Sequence, residues 1–241
     1  MTALRVERDG ALLRVAMARP ERRNAFDASL IAELTGAFAD IGGARAVILS
    51  GDGPSFSAGA DVEWMRSSVD LTHDENVADA LRLRAMLDAI DGCPAPVIAR
   101  VQGHALGGGC GLVACADIAI ASPDALFAFS EVKLGIVPAV ISPFALAKIG
   151  SSAARRYFVT GERFGADVAL RIGLVHEVAE DLDAAVDHVV SELQTTGPNA
   201  VRTAKQLARA RHSAEDTARL IAAHRTSAEG QAGLRAFLDK R

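Results

Sequence analysis

The sequence predicts a layered α/β protein. Two observations carry this. Between residues 45 and 122, short apolar runs, glycine-rich loops and helical patterns alternate in a regular rhythm. Past about residue 145 strand signals nearly cease, and helical periodicity takes over. The 241 residues, half of them hydrophobic and 23% charged, supply ample core for a soluble globular chain. That length allows one large domain or two small ones.

The elements follow in order. "LRVERDGALLRVAMAR" reads as two strands joined at Asp9-Gly10, a strong hairpin signal. "FDASLIAELTGAFADI" has helical spacing, with Asp27 as its N-cap. "RAVILSG" is a buried strand. "GDGPSFSAGADVEWM" holds turn residues, a small-residue loop and the start of a helix. "NVADALRLRAMLDAI" is an amphipathic helix stopped by Gly92 and Pro94. "APVIARVQG" is another buried strand; after the triple glycine, "CGLVACA" is a helix and "DIAIAS" a strand. "SAARRYFVTG", "DVALRIG", "DAAVDHVVSELQTT", "NAVRTAKQLARARH" and the run from Glu215 to the end are helical, with "LVHEV" as one interrupting strand. The division is then an α/β core over 1–182 and a helical region over 183–241 that caps the core or meets another subunit.

Charge and cysteine usage narrow the function. The net charge is -4 and the pI about 5.9, with no dominant basic stripe, so a nucleic-acid partner is not expected. The local basic cluster is Arg19, Arg22 and Arg23. Cys93, Cys110 and Cys115 form an odd set without CxxC spacing, which argues against a disulfide framework or a metal site. Cys110 and Cys115 read as small buried hydrophobes. No signal-peptide core and no membrane-length apolar run is found, so a cytoplasmic location is expected and a membrane partner is not.

"SFSAGAD" and "ALGGGCG" each follow a buried strand and open a helix. Small residues there let backbone N–H groups approach a ligand closely. First-turn amides of a helix have no internal partner and carry partial positive charge. Two such ends converging would form an oxyanion hole, worth about 3–4 kcal/mol per donor to a developing enolate. Tight helix-on-strand packing would call for the same glycines, and spacing alone leaves both readings open. No dinucleotide fingerprint, P-loop lysine or nucleophile elbow is present.

Taken together, "SFSAGAD", "APVIARVQGHALGGGCGL", "ADIAIAS", "SEVKLGIVP" and "GLVHEV" resemble, in order and spacing, the enoyl-CoA hydratase/isomerase (crotonase) family. The resemblance covers essentially the whole chain. It implies a spiral of ββα units with a C-terminal α-helical trimerisation region, giving a homotrimer or a dimer of trimers. The substrate would be an acyl-CoA thioester, with coenzyme A as part of the substrate and no separate cofactor. By motif, its carbonyl oxygen would lie between the amides of Ala58 and Gly108. Of the two glutamates the family's hydratases use, the resemblance matches one to Glu131; Gly111 occupies the place of the other.

The resemblance also implies an acyl pocket with Trp64, His104, Pro138, Val140 and Ile141, the last three in the altered loop "PAVISPF". For CoA it implies Arg22 or Arg23 at the phosphates, adenine near Ala60 and Asp61, and Phe237 or Lys240 closing over it. "GADVEWM", "GGGCGL", "SEVKLGIVPAVISPF" and "AARRYF" are similar to a bacterial branch acting on branched, carboxylated enoyl-CoAs of the methylglutaconyl-CoA type. His104, Glu63 and Glu75 are stand-ins for the missing glutamate, although a structural imidazole and two solvent-facing helix charges are the plainer readings. The expected reaction is syn addition or removal of water across the C2–C3 double bond by a single glutamate. Δ3–Δ2 isomerisation, which needs only one carboxylate, is the alternative, and a non-catalytic acyl-CoA-binding role stands behind both.

Overall fold

The structure is a computed structural model that describes residues 2–239. The hairpin forms as read: β1 (Leu4–Asp9) pairs antiparallel with β2 (Leu12–Met17), turning at Gly10 with φ +56°. From β2 onward the sheet is parallel. β3 (Ala46–Gly51), β4 (Val97–Val101), β6 (Ile118–Ala121) and β9 (Glu177–Val178) add in turn, giving the order β1-β2-β3-β4-β6-β9.

Parallel strands are covered on both faces, which explains why β3, β4 and β6 read as largely apolar runs. One face buries Val47, Leu49, Val97 and Ala99 against α1 (Ala28–Ala39), α3 (His73–Asp91) and α4 (Gly108–Cys115), whose Leu30, Leu34, Met86, Leu87, Ile90 and Leu112 are buried with them. The other face buries Leu12, Ile48, Ile98 and Ile120 against Leu182, Val186 and Val190 of α7 (Leu182–Gln194). Each such aliphatic side chain contributes about 1.5–3 kcal/mol on burial. The boundary read at 182/183 falls at the first turn of α7, a helix that belongs to the sheet's second core.

A second, smaller sheet has no counterpart in the sequence pattern. It joins β5 (His104–Leu106), β7 (Leu126–Ala128) and β8 (Phe164–Gly165) in the order β5-β7-β8. Strands this short carry no measurable period. Phe127, Phe129, Tyr157 and Phe164 cluster on it, with Tyr157 and Phe164 ring centroids 4.3 Å apart.

The remaining helices are α2 (Val62–Ser68), α5 (Ser142–Thr160), α6 (Ala166–Arg171), α8 (Pro198–Leu207), α9 (Ala214–Thr226) and α10 (Ala228–Leu238). The last three hold no buried residue. α8 is tied to the core by Lys205, whose Nζ lies 2.7 Å from Asp117 Oδ2 and donates to Ala95 O. Among the described residues no helix is long and apolar enough to cross a membrane.

Candidate active site

Asn24 organises the loops that build the site. It is fully buried with φ +53°, a conformation asparagine tolerates better than most residues. Its Nδ2 donates to the carbonyls of Asp52 and Ser55, and its Oδ1 accepts from the Arg19 amide. Ser57 Oγ in turn donates to the Asn24 carbonyl. One side chain thus ties residues 19–26 to the end of β3 and to the loop before α2.

The two segments then run side by side. The Ala58 amide donates to Arg23 O at 2.8 Å, the Phe26 amide to Gly59 O, and the Asp61 amide to Phe26 O. This corrects the expectation for Ala58: its N–H is already spent on a backbone carbonyl. Bonds to Phe26 flank Ala60, so in extended backbone Ala60's own N–H faces the opposite way. That amide has no partner among the described residues, and Ala60 lines a cavity that Glu131 also lines. Gly59 must be glycine, because at φ +86° a Cβ would meet Leu106 O at 2.5 Å.

The triple glycine serves packing and exposure together. Gly107, at φ +51°, ends β5's approach and donates to Ala128 O. A Cβ on Gly108 would lie 2.5 Å from Phe26 Cε2, and one on Gly109 would lie 2.6 Å from Ser57 O. Side chains are excluded, so α4's first turn comes close to the loop 57–61. Gly108 opens α4, and its amide is one of the helix's orphan donors. Like Ala60, it lines the cavity.

Gly111 has a different environment. A Cβ there would lie 2.6 Å from Ile141 Cγ2 and 3.2 Å from Ile141 Cβ. A side chain at position 111 would thus run into Ile141, just before α5. The contact disfavours any side chain at this position.

Glu131 follows Ser130 and opens a short 3-10 turn, Glu131–Leu134. Its Oε2 is buried with no hydrogen-bond partner. Desolvation raises its pKa, opposed only by a hydrogen bond from its own backbone. Gly107 lies beside it: a Cβ at 107 would sit 3.4 Å from Glu131 Oε1, an ordinary contact distance. The cavity it faces has a volume of about 240 Å³ and is otherwise mostly apolar.

Four of the residues expected in the acyl pocket, Trp64, Pro138, Val140 and Ile141, line that cavity. His104 does not: its ring sits on β5 with Nδ1 3.4 Å from Ser55 Oγ. Glu63 pairs with Arg22 at 2.8 Å, and Glu75 closes a capping box with Thr72, so neither substitutes for a second glutamate. Asn76, Asp79, Leu83, Ile136 and Val137 also line the cavity, and sequence reasoning misses them. The spacing of Asn76, Asp79 and Leu83 on one side of α3 was the available signal.

The structure separates the arginines. Arg19 pairs with Asp27 and Asp61, and Arg22 with Asp61 and Glu63. Asp61 is buried and caps α2. Burial pushes its pKa up, but the Arg22 guanidinium and the amides of Glu63 and Trp64 outweigh that and hold it below the usual carboxylate range. Arg23 is exposed, and its side chain has no hydrogen bond or ion pair among the described residues. Phe237 lies exposed on α10, away from the cavity lining; Lys240 lies outside the described residues. Cys93, Cys110 and Cys115 are free thiols, buried as small apolar groups. Among the described residues no cluster of His, Cys, Asp or Glu could hold a metal ion.

Comparison with known proteins agrees with this architecture. The model of the enoyl-CoA hydratase/isomerase family matches residues 7–241. A crystal structure of an enoyl-CoA hydratase from Shewanella pealeana superposes with a TM-score of 0.94 at 38% identity, covering 99% of this chain and 94% of that one. The short-chain-enoyl-CoA hydratase of Clostridium acetobutylicum is 33% identical over 83% of this chain and 78% of its own length. The cyclohexa-1,5-dienecarbonyl-CoA hydratase of Thauera aromatica is 32% identical over 98% of this chain and 93% of its own. The chain belongs to the enoyl-CoA hydratase/isomerase family and has its mixed α/β fold, with the helical C-terminal region that the resemblance implied.

Proposed function

We propose that the protein adds water across the C2–C3 double bond of an enoyl-CoA thioester, with Glu131 as the acid/base group. The observation that carries this reading is Glu131, with a buried carboxylate oxygen that has no partner, lining one cavity together with Ala60 and Gly108, whose amides have no partner among the described residues. The thioester oxygen accepts from both amides. Charge that develops on it as the enolate forms is then stabilised by about 3–4 kcal/mol per donor. Glu131 takes a proton from water as the water oxygen bonds to C3. The same carboxyl then returns a proton to C2 on the same face, which makes the addition syn. One carboxylate does both steps because Ile141 occupies the second position. A pKa raised by desolvation suits a group that must both take and return a proton.

Arg23 supports CoA binding as the cation free to meet a phosphate, whereas Arg22 is engaged by two carboxylates. The cavity lining contains no cationic side chain, which favours an uncharged acyl group over the carboxylated class that the sequence suggests. The exposed Leu207, Ile221 and Leu234 on α8–α10 support their use as contacts in a trimer or a dimer of trimers. A second reading, Δ3–Δ2 isomerisation, draws on the same Ile141 contact, since a lone carboxylate suffices to move a proton between C4 and C2.

The test is Glu131→Gln. Hydration of crotonyl-CoA, followed by loss of the conjugated thioester absorbance, should fall by at least about 10²–10⁴-fold, the share of one acid/base group, with thioester binding retained. Undiminished hydration in that variant rejects the mechanism. A wild-type enzyme that shifts a 3-enoyl-CoA double bond but does not hydrate crotonyl-CoA selects the isomerase.

A further inference from the structure

The cavity has two chemically distinct ends. Glu131 and the free amides mark one. The other is formed by Ser68 of α2 with Asn76 and Asp79 of α3, which line the same cavity. Leu87 lies 3.6 Å from where a Gly111 side chain would begin, and Asp79 is eight residues earlier, about 12 Å along the helix.

The hydrogen bonds made by these three residues leave acceptor atoms without partners among the described residues. Asn76 Nδ2 is taken up by the carbonyls of Ser68, Leu71 and Thr72, which leaves its Oδ1. Ser68 Oγ donates its proton to Met65 O and keeps its lone pairs. Asp79 Oδ1 accepts from Arg82 at 2.7 Å, while Oδ2 has no partner among the described residues. The Asp79 side chain is only 13% exposed, so it belongs to the pocket wall more than to the surface. Arg82 is 59% exposed and lies outside the lining.

We infer that this end selects acyl chains bearing a hydrogen-bond donor, a hydroxyl above all, and rejects chains ending in a carboxylate. An acceptor-only wall rewards a donor. It leaves a methyl end to displace water from polar groups without replacing their bonds. It sets a terminal carboxylate against the unpaired Oδ2 of Asp79, whose cation, Arg82, binds the other oxygen from outside the lining. The inference rests on the reading of this cavity as the acyl site, and it names the substrate class.

Binding tests it independently of turnover. Calorimetry on the wild-type protein compares saturated acyl-CoAs of equal length with methyl, ω-hydroxyl and ω-carboxyl ends, in a series from hexanoyl to dodecanoyl. At the length that reaches Asp79, the hydroxyl form should bind about tenfold tighter than the methyl form, and the carboxyl form weakest. Asp79→Leu should invert the hydroxyl-to-methyl preference, and Asp79→Asn, which keeps an acceptor, should retain it. Equal affinities across all lengths in the wild type overturn the inference, as does a hydroxyl preference that persists in Asp79→Leu. Binding with the expected selectivity but no hydration of any matching enoyl-CoA would reject the proposed reaction and leave this inference standing. Failure of every acyl-CoA to bind would overturn both.

Discussion

Replacing Gly111 by alanine tests whether a second carboxylate is absent by omission or by exclusion. The new methyl would lie 2.6 Å from Ile141 Cγ2 and 3.2 Å from Ile141 Cβ. Rotating Ile141 relieves the contact only in the rotamer that turns its Cβ hydrogen toward position 111, and a β-branched side chain has little freedom at χ1. Its Cβ moves only with the backbone. Overpacking of this kind costs about 1–3 kcal/mol. Against it stands the helix preference of alanine over glycine, about 1 kcal/mol at a position inside α4. The net expectation is a loss of about 1 kcal/mol. Ile141→Ala alone should lose about 2–5 kcal/mol through the cavity it leaves. In the double variant the methyl introduced at position 111 enters that cavity. The combined loss should therefore be smaller than the sum of the single losses by about 1–2 kcal/mol, within the range seen for contacting residues. Urea unfolding at one fixed protein concentration measures all four corners of the cycle. Gly111→Ala stabilised by the full helix-preference gain, with additive behaviour in the double variant, would refute the reasoning. So would a folded Gly111→Glu protein with faster hydration of crotonyl-CoA.

Two further outcomes follow from the site. Glu131 has a folded-state pKa above its unfolded value, so the folded protein binds more protons between the two, and stability falls as pH rises through that window. Glu131→Gln should accordingly be more stable than the wild type at neutral pH and lose this advantage below the unfolded carboxylate value; an advantage independent of pH would show that the carboxylate is not the cause. Asn24→Ala leaves Asp52 O, Ser55 O and the Arg19 amide without their side-chain partner and places alanine at φ +53°, so a loss of about 2–4 kcal/mol is expected in urea unfolding. A loss below about 1 kcal/mol would mean that water takes over its role.

Much of the fold was legible because the central parallel strands are largely apolar runs and several helices carry their own caps, such as Asp27. The second sheet was not, since strands such as Phe164–Gly165 are too short to show a period. Glu131 and Gly108 could be picked out by motif. Which amide of "SFSAGAD" is free could not, because alternation along that segment is set by its pairing with residues 23–26, distant in sequence. The sequence shows only that Gly111 lacks a carboxylate. That Ile141 takes the space is a tertiary fact, as is the alignment of Asn76 and Asp79 with the cavity of Glu131.

The Asn24 clamp divides the labour of the site. In the proposed mechanism it fixes the thioester end through backbone carbonyls and amides, while side chains of α2, α3 and residues 136–141 shape the acyl end. Substitutions at Trp64, Asp79 or Ile141 can thus redirect the enzyme toward other acyl groups without rebuilding the apparatus that holds the carbonyl. The chain is modular at the scale of a single cavity, with one half free to diverge and the other held by an amide side chain.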